Sequence, residues 1–153
     1  MTQEDKELLL KDLCTRLNTK LVCSIYRTDD EGTGYRDEIL HGYCKGDIWY
    51  EFYFREDCSI GIDNVSKIKP YLLPLSSMVE EIIEEFNNLF NGSFQDFNQG
   101  VISASRVWDK NEPVFVGELE CSKLIDWFNA HHIDYRGLIP KGLANDATGL
   151  NIY

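Results

Sequence analysis

Ser122–Ala144 reads SKLIDWFNAHHIDYRGLIPKGLA, and the way this stretch must pack bears on everything before it. Leu124, Ile125, Trp127, Phe128 and His131 recur at helical spacing, so a helix beginning near Ser122 has one side that must be buried. Asp134 suits the cap of a following short turn, Arg136-Gly137 suits its end, and Pro140 stops a long continuation. The makeup of HHIDYRG is that of a segment wedging a terminal helix into the interior, so the upstream chain has to supply the layer it presses on.

That upstream chain alternates between two periods. Thr2 with Asp5 three residues on is a helix start, and Leu9, Leu13 and Leu17, with Leu10 and Cys14 beside them, predict a helix over 3–17. Leu21, Cys23 and Ile25 alternate with Val22, Ser24 and Tyr26, which predicts a strand. A turn of charge and glycine, Asp29 to Gly34, separates it from a second strand over Tyr35–Cys44, and Lys45-Gly46-Asp47 makes the next connection. Ile48, Tyr50, Phe52 and Phe54 then point one way and Trp49, Glu51, Tyr53 and Arg55 the other, the clearest period of two in the chain. Ser59–Ile62 is read as a short fourth strand. Connections this short favour antiparallel neighbours in a meander.

Lys67 to Pro74 reads as a proline-bracketed connector, and Ser77 with Glu80 as a capping box. Val79, Ile82, Ile83, Phe86, Leu89 and Phe90 form the apolar stripe of a second helix over 78–90. Glu80, Glu81, Glu84 and Glu85 line its opposite side, and Asn91-Gly92 stops it. Val101–Trp108 and Val114–Leu119 have the extended character of a second hairpin about the turn Asp109–Pro113. The tail to Tyr153 either lies across the sheet or frays.

The 153 residues suit one domain able to bury a core of its own. With 43% hydrophobic and 12% aromatic residues the profile is that of a folded globule. No apolar run reaches bilayer length and the first ten residues carry no signal-like pattern, so a cytoplasmic protein without membrane contact is expected. Five cysteines (Cys14, Cys23, Cys44, Cys58, Cys121) form no C-x-x-C pair and argue for reduced, mostly buried thiols. A net charge of −11 disfavours direct nucleic-acid binding, whose affinity comes largely from Lys and Arg displacing counterions. Between Pro70 and Ser105 there is no Lys or Arg, whereas the four glutamates and Asp96 fall there, which makes one face strongly negative.

Three stretches, TQEDKELLLKDLCTRL (Thr2–Leu17), IKPYLLPLSSM (Ile68–Met78) and DWFNAHHIDYRGLIPKGLA (Asp126–Ala144), taken in this order, resemble a widespread family of small acidic proteins from gut Bacteroidales and their phages and mobile elements. The resemblance covers about a third of the chain by motif. It departs where the family generally carries an arginine and this chain has Leu73, a methionine for Leu75, and phenylalanine and an acid for Ile133 and Pro140. A function resting on that arginine would be lost here. The resemblance carries over no catalytic residue; it implies common descent and the setting of an accessory gene of a gut bacterium or its phage.

Each candidate for chemistry has a plainer account beside it. His131, His132 and Asp134, with His41 as a distant ligand, are the residue types of a zinc or iron site. Adjacent helical residues diverge by about 100°, however, so a half-buried His131 and an exposed or capping His132 is the favoured reading. Arg136 offers a planar fork to a carboxylate or phosphate; an internal pairing, Asp126 being one candidate, explains it as well. Of the aromatic strand, one side is core and only Trp49 and Tyr53 are open to a binding role. Gly32-Thr33-Gly34 lacks the lysine and following helix of a phosphate loop, and no cysteine sits in a nucleophile elbow. The glutamate row is either a solvated face or a surface for a basic patch on a partner.

These readings converge on a single α+β domain over 1–153, three helices covering one face of an antiparallel sheet of about four or more strands in a meander. The expected function is non-enzymatic: an accessory protein that binds a protein partner, needs no cofactor and acts as an inhibitor in phage or host conflict. Glu80, Glu81, Glu84, Glu85, Trp49, Tyr53 and Arg136 are its candidate binding residues. The competing expectation is a small-molecule binder or hydrolase using His41, His131, Asp134 and Arg136 around an aromatic cleft.

Overall fold

The computed structural model describes residues 1–29, 32–45, 50–55, 58–90, 106–109, 112–115 and 118–153. In chain order the elements are α1 (Gln3–Thr15), β1 (Val22–Asp29), β2 (Gly32–Ile39), β3 (Gly42–Lys45), β4 (Tyr50–Arg55), β5 (Cys58–Gly61), a 3-10 segment (Ile62–Lys67), β6 (Ile68–Leu72), α2 (Glu80–Phe90), β7 (Arg106–Asp109), β8 (Glu112–Phe115), α3 (Glu118–Ala130) and β9 (Asn145–Asp146). The class is α+β. They gather into two compact units, Met1–Leu72 with Leu138–Tyr153 and Leu73–Gly137, each with an apolar cluster of its own. No helix among the described residues is long and apolar enough to cross a membrane.

The first unit is built on α1 and two sheets. Thr2 and Asp5 form the capping box: the Asp5 amide donates to Thr2 Oγ1 at 3.1 Å and the Thr2 amide to Asp5 Oδ2 at 3.0 Å. That backbone bond, with the Thr2 hydroxyl second, holds the Asp5 carboxyl below its ordinary range. Leu9 and Leu13 are fully buried, Leu10 and Leu17 pack partly buried against them, and Cys14 is exposed. On β1, Cys23 and Ile25 continue the buried row begun by Leu21.

The expected strand over Tyr35–Cys44 is two strands. β2 pairs antiparallel with β1 through Ile39, whereas β3 pairs with β4. Between them Leu40 donates its amide to the Leu21 carbonyl and His41 donates to the Tyr53 carbonyl. The chain thus leaves one ladder and enters another at a buried leucine. β3, β4 and β5 form the expected meander, with Phe52 and Phe54 inside and Ile60 opposite Phe52. Ile48 and Trp49 lie outside the described residues, as does the Gly46-Asp47 turn.

Lys67 to Leu72 is no mere connector. Ile68, Pro70 and Leu72 are buried alternately, and β6 pairs antiparallel with β1, Cys23 opposite Pro70. Proline is tolerated because the ladder on the other side of β6 starts only at Tyr71, so its missing N–H costs no bond there. On that side β9 adds a parallel pair, giving the order β2–β1–β6–β9. The tail is therefore part of the sheet. Ala147 donates its amide to the Leu72 carbonyl, and Tyr153 donates its hydroxyl to the Tyr71 carbonyl at 2.6 Å. Enclosure of that hydroxyl tip, on a ring that is otherwise half exposed, raises its pKa. Upstream of β9, Gly142 takes the left-handed conformation (φ 70°) that lets the Leu143 amide reach back to the Leu138 carbonyl.

Cys23 is fully enclosed among these elements, and burial first, then the Asp12 carboxylate, pushes its thiol far above the ordinary value of 9.0. Stability tied to this thiol is complete below pH 9 and falls as pH rises past it, because only the unfolded chain then releases the proton. Peptide mapping after iodoacetamide at pH 8 should find Cys23 unmodified in the native protein and modified in denaturant. Native labelling at a rate comparable to Cys14 would contradict the enclosure.

In the second unit α2 starts at Glu80, later than expected. The Val79 carbonyl accepts from the amides of Ile82 and Ile83. Ser77 closes a 3-10 turn over Leu75–Ser77 instead of heading a capping box, its hydroxyl donating to the Pro74 carbonyl at 2.8 Å. Ile82, Ile83 and Phe86 pack inward, but Val79 and Leu89, expected in the same stripe, are exposed at 53% and 59%. The Asn91-Gly92 stop and Asp96 lie outside the described residues. β7 and β8 pair antiparallel as a hairpin, but with other bounds than expected: Pro113, read as turn, stands opposite Trp108 in the ladder, Leu119, read as strand, belongs to α3, and residues 101–105 lie outside the described residues. α3 begins at Glu118, four residues ahead of Ser122, and buries Leu124, Trp127 and Phe128.

Candidate functional site

The segment leaving α3 is built from a helix ending. His132 has φ 54°, its amide donates to the Asn129 carbonyl, and the next amide, of Ile133, reaches back to the Phe128 carbonyl. These two bonds are a Schellman ending with histidine in the position glycine usually fills. Ile133 and Phe128 supply its apolar contact. Leu73 then clips the segment from both sides, donating its amide to the His132 carbonyl at 2.9 Å and accepting from Asp134 at 2.8 Å. His132, Ile133 and Asp134 are buried as a result. Of the two alternatives for His132, exposed or capping, the structure has the capping one, and the clip draws its side chain inside.

His131 is half-buried and stacked on the Trp127 indole, ring centroids 4.2 Å apart. Its Nδ1 lies 2.9 Å from the Trp127 carbonyl oxygen, which can only accept, so Nδ1 carries the proton. Nε2 therefore faces Glu85 of α2, 3.6 Å from Oε2, and the two form an ion pair whenever Nε2 is protonated. The other oxygen, Oε1, accepts from the Trp127 indole N–H at 2.8 Å. One nitrogen of His131 is spent on backbone and the other is turned to a carboxylate. Neither is presented to a substrate as a general base would be.

Arg136 lies over the ring of Tyr135, 4.7 Å from its centroid, and Tyr135 in turn stacks on Phe128. The guanidinium closes an aromatic stack, and Asp126 stands exposed on α3. His41 and Tyr53 belong to the first unit, His41 exposed and Tyr53 half-buried on β4; Trp49 lies outside the described residues. Among the described residues, no three of His, Cys, Asp and Glu gather in a way that could hold a metal ion.

The glutamate row divides. Glu80, Glu81 and Glu84 are exposed on the outer side of α2, and Val79 and Leu89, at the two ends of its apolar stripe, are exposed too. Glu85 is half exposed too, yet it is tied to Trp127 and His131 of α3. Two features escaped the sequence reading. One is this Glu85–Trp127 tie, for which no local pattern exists. The other is Asp12 with Arg16 in the first unit, a doubly bonded pair at 2.8 and 3.2 Å with both side chains fully buried. Its spacing of four was visible on α1.

Comparison with known protein families, with characterised proteins and with solved structures found no match to this chain.

Proposed function

We propose that this protein works without catalysis, by laying the outer face of α2 against a basic patch on another protein, of the kind that otherwise holds nucleic-acid phosphates. The observation that carries this reading is the outer side of α2, where Glu80, Glu81 and Glu84 are exposed together while the other side is committed to Ile82, Ile83 and Phe86; Val79 and Leu89, at the two ends of that apolar stripe, are exposed as well. Charge of one sign steers encounter and sets specificity, while exposed apolar groups supply the area that charge alone does not. The net charge of −11 supports a protein partner in preference to direct contact with DNA or RNA. The motifs shared with small acidic proteins of gut Bacteroidales and their phages support an inhibitory role in phage or host conflict, in the cytoplasm.

The test reverses Glu80, Glu81 and Glu84 to lysine and leaves Glu85 alone, because Glu85 also ties α2 to α3. Affinity capture from host lysate should recover a basic, nucleic-acid-binding protein that duplex DNA displaces. Its binding should weaken with salt, and by about tenfold or more in the triple variant. Circular dichroism should show the triple variant folded. Recovery of no partner, or binding indifferent to both salt and charge reversal, would overturn the proposal.

A further inference from the structure

In the first unit the buried row of β1 does not end in the core. Cys23 and Ile25 are fully buried, and the next residue on that side is Arg27, whose side chain is 15% exposed. It reaches an open cavity of about 310 Å³ bounded by β1, β5 and the 3-10 segment. Arg27 and Lys67 bring two cations to it, and Thr28, Ser59 and Asn64 bring hydroxyl and amide groups. No carboxylate is among its described lining residues, in a chain with 26 acids and 15 Lys and Arg. Arg27 is also ion-paired with Glu38 of β2, whose Oε1 lies 3.6 Å from Nη2.

We propose that this cavity is a binding site for a small, hydrophilic phosphate ester, such as a phosphorylated polyol. A planar fork and a mobile ammonium on one cavity are the pair that grips a phosphate, one by geometry and the other by charge. The volume is at the small end of ligand sites, enough to seat a phosphate and a short hydroxylated body. Thr28, Ser59 and Asn64 suit the hydroxyls of the ester body, and Tyr26 and Ile60 offer its carbon chain an apolar wall. The lining residues all belong to the first unit and none to α2, so the site stands or falls without the function proposed above.

Calorimetry and amide chemical-shift mapping test this on the full chain with glycerol 3-phosphate, ribose 5-phosphate, inorganic phosphate, unphosphorylated ribose and calcium chloride. The phosphate esters should bind, inorganic phosphate more weakly and ribose not at all, with shifts confined to Arg27, Thr28, Ser59, Asn64, Lys67 and their neighbours. Lys67→Glu, on an exposed side chain, should keep the fold and weaken ester binding by about tenfold or more. Arg27→Lys should weaken it as well, by removing the fork. No ester binding at millimolar concentration, equal binding of ribose, inorganic phosphate as tight as the esters, calcium in their place, shifts elsewhere, or a folded Lys67→Glu with unchanged affinity would each overturn the proposal.

Discussion

Arg16→Met should lower the free energy of unfolding by about 3–5 kcal/mol, measured by urea denaturation followed by circular dichroism. Arg16 and Asp12 are both fully buried, bonded Nε to Oδ2 at 2.8 Å and Nη2 to Oδ1 at 3.2 Å. Removing the arginine leaves a carboxylate in the interior beside Cys23, where water cannot replace the lost donors. A cation at the end of α1 also complements the helix dipole, but that is worth about 0.3–1 kcal/mol and cannot account for a loss of the expected size. The double variant Asp12→Leu with Arg16→Met separates the causes, since it removes both charges and keeps similar volume. It should recover most of the loss, because a buried pair replaced by apolar groups is often neutral or stabilising. A single-variant loss below about 1 kcal/mol would mean that the pair is hydrated in solution.

The pair also marks the boundary of what sequence can tell. Its spacing of four on α1 was in view, but burial depends on β1 and the tail, which no local pattern specifies. Where the deciding contacts are within a few residues, reading succeeds: the Thr2–Asp5 box, the alternation of Phe52 and Phe54, and the inward side of α3 all stand as expected. Where a distant strand decides, it fails. Pro70 reads locally as a breaker, yet Cys23 lies opposite it in a ladder. Tyr35–Cys44 reads as one strand, yet Leu21 and Tyr53 claim successive amides and split it. Val79 and Leu89 match the helical stripe but lie at the two ends of α2, beyond the turn that Ile82, Ile83 and Phe86 bury. At the candidate site the half-burial of His131 and the helix ending at His132 follow from local spacing, whereas the engagement of Glu85 by a tryptophan 42 residues away has no local signature.

That engagement makes Trp127 the residue whose loss should most damage the second unit. Its indole meets Phe86 edge-on at 5.2 Å and Phe128 at 5.4 Å, stacks on His131, and donates to Glu85. Trp127→Ala should cost about 3–5 kcal/mol, from lost burial and from the cavity left between α2 and α3. Trp127→Phe keeps most of the ring contact and removes the N–H donor. Because Glu85 is half exposed and can turn to water, that change should cost only about 1 kcal/mol. Urea denaturation gives the two values, and amide exchange across α2 and α3 localises them: protection should drop for Ile82–Phe86 and Leu124–Phe128 in the alanine variant and far less in the phenylalanine one. If both substitutions cost the same large amount, the Glu85 bond rather than ring packing holds α2 to α3. Charge reversal on the outer face of α2 would then need Glu85 protected even more strictly before any effect on partner binding could be read from it.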